Sequence, residues 1–216
     1  MHIPDGLLSP QTYLPALAIA SPLWVIAGRR LARELGDATI PRLAVFTALA
    51  LVLSTLMLPL PGGTSGHAIG VALLALLFGP WIAFMAYTLV LLLQALVIGA
   101  GGLTALPVNA LAMGWVGAWC AVLLHRLIAP WHRDAAVLLG VGVSIVLSAL
   151  IVALILGAQP SIAQRPDGSP LFFPFGPMVT VPAIVLPHLA IAAGEAVFTL
   201  LILRHARKRH WVEVSA

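Results

Sequence analysis

The first two residues of the chain, Met1 and His2, present three nitrogen donors that a single metal ion could bind together. The free α-amine and the peptide nitrogen of His2 would close one chelate ring, and that peptide nitrogen and Nδ1 of the imidazole would close a second. Planar nitrogen coordination of this kind suits Ni(II) and Cu(II). Three donors leave one equatorial position open, which a second imidazole could fill.

His67 is the best candidate for the fourth donor. It follows a glycine-rich stretch, Gly62-Gly63-Thr64-Ser65-Gly66, and opens the third apolar segment of the chain. An ionisable residue near the membrane interior is a functional hypothesis by default. The alternatives are a terminal His2 without a role and a His67 that only caps a helix or satisfies a loop.

Three further polar residues lie inside apolar segments and are weaker candidates. Glu195 is the only acid predicted inside a spanning segment, and His188 precedes it by two helical turns. They could form a pair beside the metal or along its path, but a polar contact that fixes helix packing is favoured. Asn109 could orient an imidazole or a loop, and packing between helices is an equal alternative. Ser65, within the glycine-rich stretch, is a candidate for the same supporting role.

The chelate also requires that Met1 be the mature N-terminus. A cleavable signal peptide is not expected, because the region before the first apolar run contains Asp5 and no Lys or Arg. Pro4, Pro10 and Pro15 interrupt it as well.

The composition predicts that lipid surrounds most of the chain. Of its 216 residues, 61% are hydrophobic and 8% are charged, and the mean hydropathy is +1.08. A soluble domain has about 25% charged residues. Hydropathy predicts an all-α, polytopic integral membrane protein with about seven transmembrane helices. These cover roughly residues 12–28, 41–58, 67–79, 81–98, 106–125, 136–157 and 180–203.

The distribution of basic residues predicts the orientation. With the N-terminus outside, ten of the eleven Lys and Arg residues fall on the cytoplasmic side and only Arg165 falls outside. We therefore expect one membrane domain over residues 1–216, with a metal-binding segment at 1–11, a transmembrane bundle at 12–203 and a basic cytoplasmic tail at 204–216. The outer side would collect the N-terminal segment and three loops, at Pro59–Gly66, Gly99–Ala105 and Ala158–Pro177. The positive charge reports topology, so no nucleic-acid partner is expected.

Several motifs resemble the CbiM/NikM family, the cobalt- and nickel-binding S components of energy-coupling factor transporters. The matching stretches are Met1-His2-Ile3-Pro4-Asp5-Gly6, Gly62 to His67, Gln94-Ala95-Leu96, Gly101 to Leu106 with Asn109, His188-Leu189-Ala190 and Gly194-Glu195-Ala196. The resemblance implies seven transmembrane helices and a buried N-terminus. It also implies a metal site made of the Met1 amine, the His2 amide and imidazole, and the His67 imidazole, in a bacterial or archaeal cytoplasmic membrane.

The resemblance further implies partners that supply the energy. The chain has no glycine-rich P-loop followed by Lys-Ser or Lys-Thr, so it is not expected to hydrolyse ATP. Separate ATP-binding subunits, a transmembrane coupling subunit and a small accessory membrane protein are the implied partners. Ni(II) or Co(II) would be the transported substrate, without an organic cofactor, and the donor set does not separate the two ions.

Two other functions were weighed against the transport of a metal ion. A vitamin-binding S component would need an aromatic, hydrogen-bonding pocket and no free N-terminal chelate. An intramembrane metalloenzyme would need an open coordination position and a general base beside the metal. A closed set of four nitrogens argues against an enzyme, and Glu195 would be the only possible base.

Overall fold

A computed structural model describes residues 1–34, 36, 39–60 and 64–209 of the chain. Within these residues the backbone forms seven helices and one short β-hairpin, as expected for an all-α fold. The helices are α1 (Pro10–Glu34), α2 (Thr39–Thr55), α3 (Val71–Phe78), α4 (Pro80–Ile98), α5 (Leu106–Ile128), α6 (Arg133–Ile162) and α7 (Pro177–Lys208). The hairpin pairs β1 (Leu58–Leu60) with β2 (Thr64–Gly66) in antiparallel register.

Four of these helices, α4 to α7, are long and apolar enough to cross a membrane. Helix α2 is apolar but shorter, and α3 has eight residues, nearly all of them buried. An α-helix of that length rises about 12 Å, which is less than half of a bilayer core. The non-helical residues 67–70 precede it, and His67, Ile69 and Gly70 among them are buried, as lipid requires of backbone outside a helix.

The longest helices, α6 and α7, pack side by side where the C-terminal end of α6 meets the N-terminal end of α7. A Cβ at Gly157 would lie 2.6 Å from Oγ1 of Thr180 and 2.7 Å from Cα of Pro177, so only glycine permits this approach. Thr180 donates a hydrogen bond to the carbonyl of Ala153 at 2.9 Å. Small residues and short polar side chains are typical of helix contacts in membranes.

The structure corrects two of the sequence-based boundaries. The stretch at Pro59–Gly66, expected as a loop, contains most of the β-hairpin, and its residues 61–63 lie outside the described residues. Helix α6 continues to Ile162, so the first residues of the loop expected from Ala158 are helical. Hydropathy detects the apolar centre of a helix and misses polar turns at its ends.

Two helices change to π-helical geometry on either side of the loop that joins them. The last turn of α4 is π-helical over Gln94–Ile98, and α5 is π-helical over Ala110–Val116. The connecting loop includes Gly99 and Gly101, whose φ values of 72° and 82° favour glycine. π-Helical segments are rare and are frequently found at functional sites. Here they border the loop that covers the N-terminus.

The described part of the basic tail contacts the rest of the fold. Arg204 forms an ion pair with Asp134 at the start of α6. Residues 210–216, the remainder of the predicted tail, lie outside the described residues. The orientation with the N-terminus outside stays a prediction.

Candidate metal centre

The N-terminal segment is inserted between the helices instead of lying on the surface. Met1 and Ile3 are fully buried, and His2 is 2% exposed. The Met1 amine donates a hydrogen bond to the backbone carbonyl of Ser65 in β2. This contact brings the N-terminus to the strand that immediately precedes His67, and Ser65 takes part through its backbone only.

Asn109 fixes the residue that follows His2. Its Oδ1 accepts a hydrogen bond from the Ile3 amide at 3.0 Å, and its Nδ2 donates to the Ile3 carbonyl at 3.0 Å. Both groups are buried, and both functions of the side-chain amide are used. Asn109 therefore holds the backbone of Ile3 as a neighbouring β-strand would.

Asp5 fixes the other end of the same segment to the loop between α4 and α5. Its carboxylate accepts hydrogen bonds from the amides of Leu103 at 2.9 Å and Thr104 at 2.8 Å, and from the Thr104 hydroxyl at 2.5 Å. Burial alone would raise the pKa of Asp5, but these hydrogen bonds outweigh it, so the pKa lies below its usual value. A Cβ at Gly102 would lie 2.4 Å from the Asp5 amide nitrogen, so the contact requires glycine.

The imidazoles of His2 and His67 lie face to face. Their ring centroids are 4.1 Å apart and the ring planes differ by 23°. Nδ1 of His67 lies 2.8 Å from the carbonyl of Ala68, which can only accept a hydrogen bond. The proton of neutral His67 is therefore on Nδ1, and Nε2 carries a lone pair. That Nε2 and both ring nitrogens of His2 are buried without a hydrogen-bond partner among the described residues.

Burial keeps the potential donors uncharged. It lowers the pKa of the Met1 amine from 8.0 to about 4. Burial, and then the charge that the amine would carry, lower the pKa of His2 well below its usual value. At neutral pH both groups therefore have free lone pairs, as metal ligands must. This arrangement of neutral, buried nitrogens can bind a metal ion without first losing protons from the amine or the imidazole.

Glu195 and His188, both on α7, do not hydrogen-bond to each other. Glu195 accepts hydrogen bonds from the backbone amides of Ile69 and Gly70. Nδ1 of His188 lies 2.7 Å from the Ile184 carbonyl, and its buried Nε2 has no partner in the described part of the chain. His188 is within electrostatic reach of the Met1 amine and of His67. Among the described residues, no three His, Cys, Asp or Glu side chains are grouped closely enough to hold a metal.

Sequence reasoning gave no supporting role to two buried glutamines, one of which holds the N-terminal segment. Nε2 of Gln94 donates to Ser54 at 2.9 Å, while its Oε1 is buried without a partner within the described ranges. Oε1 of Gln159 accepts a hydrogen bond from the amide of Ser9 at 2.9 Å. Each is a polar amide side chain within an apolar helix, and this feature of the sequence could have identified both as buried residues with a supporting role.

Comparisons with known proteins place this chain in a family of metal-ion transport proteins. A family profile described as the cobalt uptake substrate-specific transmembrane region matches residues 2–212. A probable fused nickel transport protein of Lactiplantibacillus plantarum is 38% identical over 96% of this chain. A fused nickel transport protein of Rhodobacter capsulatus is 38% identical over 92% of this chain. The chain spans 65% and 59% of the lengths of these two relatives.

Relatives of more similar length point to the same class of protein. A cobalt transport protein of Roseiflexus is 34% identical over the whole of this chain and 86% of its own. The crystal structure of a truncated transition metal transporter superposes with a TM-score of 0.93 at 35% identity. That match covers 97% of this chain and 99% of the other, so the fold is shared from end to end. The curated relatives are transport proteins and not enzymes.

Proposed function

Because this chain belongs to the family of cobalt uptake substrate-specific transmembrane regions, we propose that it captures nickel or cobalt ions for import across the cytoplasmic membrane. Its relatives are named for the transport of either metal. Both ions accept nitrogen donors, and the choice between them depends on geometry and fit.

The proposed ligands are the Met1 amine, the His2 amide nitrogen, Nδ1 of His2 and Nε2 of His67. The observation that supports this set is the burial of the two imidazoles against each other, with ring nitrogens that lack partners among the described residues. A lone pair on Nε2 of His67 follows from the contact of its Nδ1 with Ala68. A buried nitrogen without a partner is costly, and a bound metal ion would remove that cost.

A mechanism of import follows from the position of the site. The metal would enter from outside and displace the proton of the His2 amide, and the loop between α4 and α5 would cover it. Release inward would require a rearrangement that separates His67 from the N-terminal segment. Separate ATP-binding subunits and a membrane coupling subunit would drive it, because ATP-binding motifs are absent from the sequence.

Calorimetric titration of the purified chain with Ni(II) and Co(II) tests the proposal. Binding of one ion per chain is expected, with a loss of affinity greater than 100-fold in His2→Ala and in His67→Ala, since each removes a direct ligand and not only a supporting contact. A glycine added before Met1 should have the same effect, because it converts the amine into an amide. His132→Ala, an exposed histidine outside the site, serves as the control.

The same titration distinguishes the alternatives. Wild-type affinity in both histidine variants would move the site elsewhere and contradict the proposed ligands. Absence of binding for both ions in the wild-type chain would favour a different substrate, such as a vitamin. Intact mass spectrometry that shows a removed or blocked Met1 in a chain that still binds would exclude the amine as a ligand.

A further inference from the structure

Glu195 is a buried carboxylate that contacts backbone and not a cation. It is 4% exposed, and its two oxygens accept hydrogen bonds from the amides of Ile69 at 2.5 Å and Gly70 at 2.7 Å. Within the described residues it forms no salt bridge with Lys or Arg. A buried carboxylate is costly unless hydrogen bonds compensate it. Its position inside the bundle therefore depends on these two amides.

The two amides belong to the residues just before α3, where the chain provides no side-chain acceptor of its own. The residue before α3 is Gly70, with a φ of 75° and no side chain to accept a hydrogen bond. A Cβ at this position would lie 2.8 Å from Cβ of Ala50, so a capping side chain has no room. An acceptor for these two amides must come from another helix, and Glu195 of α7 supplies it. A carboxylate at a helix N-terminus also interacts favourably with the helix dipole.

The same contact reaches His67 through a single peptide unit. The carbonyl of Ala68 and the amide of Ile69 belong to one planar peptide group. Its carbonyl accepts the Nδ1 proton of His67 at 2.8 Å, and its N–H donates to Glu195 on the opposite side. A series of hydrogen bonds therefore runs from the Glu195 carboxylate through this peptide to Nδ1 of His67. Nε2 of His67 lies on the other side of the imidazole ring and keeps its lone pair.

We propose that Glu195 is a positioning residue for His67, which acts through the peptide between Ala68 and Ile69. Metal-bound histidines usually donate their second ring nitrogen to a carboxylate or carbonyl, which sets the ring orientation and raises its basicity. Here the carbonyl is itself held and polarised by a carboxylate on its amide side. The arrangement fixes the plane of the imidazole, and it connects the metal site to α7. This inference rests on the proposed role of His67 as a ligand.

Glu195→Gln tests the proposal with little change in shape. The amide oxygen of glutamine can accept one of the two hydrogen bonds, but its NH₂ group would face the other backbone N–H. We expect Ni(II) affinity about 10- to 100-fold weaker, the range for loss of a partner that orients a metal ligand. Thr180→Val is the matched control, because Thr180 is buried on the same helix and binds Ala153, away from His67.

Two readouts separate positioning from a general loss of stability. Thermal unfolding identifies how far each variant is destabilised, and the absorption spectrum of bound Ni(II) reports its ligand field. We expect the Glu195→Gln spectrum to move towards that of His67→Ala, whereas Thr180→Val should keep the wild-type spectrum and affinity. Glu195→Asp keeps the charge and should recover part of the affinity that Glu195→Gln loses.

The outcomes distinguish this inference from the proposed function. If His67→Ala loses binding while Glu195→Gln matches Thr180→Val in affinity and spectrum, Glu195 does not position His67 and only this inference is overturned. If the wild-type chain binds neither ion, or if His67→Ala binds normally, the proposed ligand set fails and this inference fails with it. The inference is supported if Glu195→Gln shows a weaker Ni(II) affinity and a shifted spectrum while Thr180→Val shows neither.

Discussion

Replacement of Asn109 tests whether the N-terminal chelate is preorganised by its neighbours. Asn109→Leu keeps the branched shape of the side chain, with larger methyl groups, but removes both hydrogen bonds to Ile3, whose side chain is fully buried. Each buried polar group left without a partner costs about 1–3 kcal/mol. Two such groups give a cost of about 2–6 kcal/mol for keeping the N-terminal segment in place.

This cost should appear mainly as weaker metal binding. The metal-free segment can avoid it by leaving its site and hydrating the Ile3 backbone, but the metal-bound state requires the segment in place. The apparent affinity falls by the fraction of chains that are competent to bind. The lower limit of about 2 kcal/mol corresponds to a Kd for Ni(II) about 30-fold higher than that of the wild-type chain.

Calorimetric titration with Ni(II), beside thermal unfolding, measures the effect. Gln164→Leu is the control, since Gln164 is an exposed amide side chain that donates to a backbone carbonyl away from the site. Asn109→Asp keeps an acceptor for the Ile3 amide but sets a carboxylate oxygen against the Ile3 carbonyl, so it should also bind weakly. An Asn109→Leu chain that folds and binds within twofold of the wild type would refute the reasoning.

Three further predictions concern packing and protons. Gly102→Ala should raise the Kd for Ni(II) more than tenfold, because its Cβ displaces Asp5, whereas Gly142→Ala, with nothing within 4 Å, should leave it unchanged. Calorimetric titration at pH 7 in buffers of different ionisation enthalpy should show about one proton released per Ni(II), which comes from the His2 amide. The Met1 amine, with a pKa of about 4, has no proton to lose at this pH. Release of two protons would contradict this expectation. The Met1 amine binds a proton more readily in the unfolded chain than in the folded one. As the pH falls from 8 to 4, the metal-free chain should therefore lose up to about 1.4 kcal/mol of stability per pH unit, and an Nα-acetylated chain should lose less.

The amino-acid sequence predicted the features that depend on local chemistry. The three donors of Met1 and His2 are adjacent along the chain, so residue type alone indicates a chelate. Seven apolar segments predicted the seven helices found among the described residues, because hydropathy registers every stretch that avoids water. The third of these segments, 67–79, is the shortest, and α3 is correspondingly a short helix whose residues are nearly all buried.

The sequence left the partners of the buried polar residues undecided. The sequence allowed Asn109 to hydrogen-bond to a loop, to an imidazole or to a neighbouring helix. Its partner is the backbone of Ile3, 106 residues away. For Glu195 the sequence left open a pair with His188 and favoured a polar contact between helices, and its partners are backbone amides in the segment before α3. Hydropathy sets where a helix lies along the chain, but neither its rotation nor its height relative to its neighbours.

Tertiary structure also decided the protonation state of the candidate site. In water the Met1 amine would be charged at neutral pH, and a charged amine is no ligand. Burial beneath the loop between α4 and α5, with Asp5 and Asn109 as anchors, lowers its pKa and leaves the lone pair free. The sequence determined which nitrogens are available, whereas the fold decided that they lie together, uncharged and unhydrated, because desolvation depends on every element packed around them.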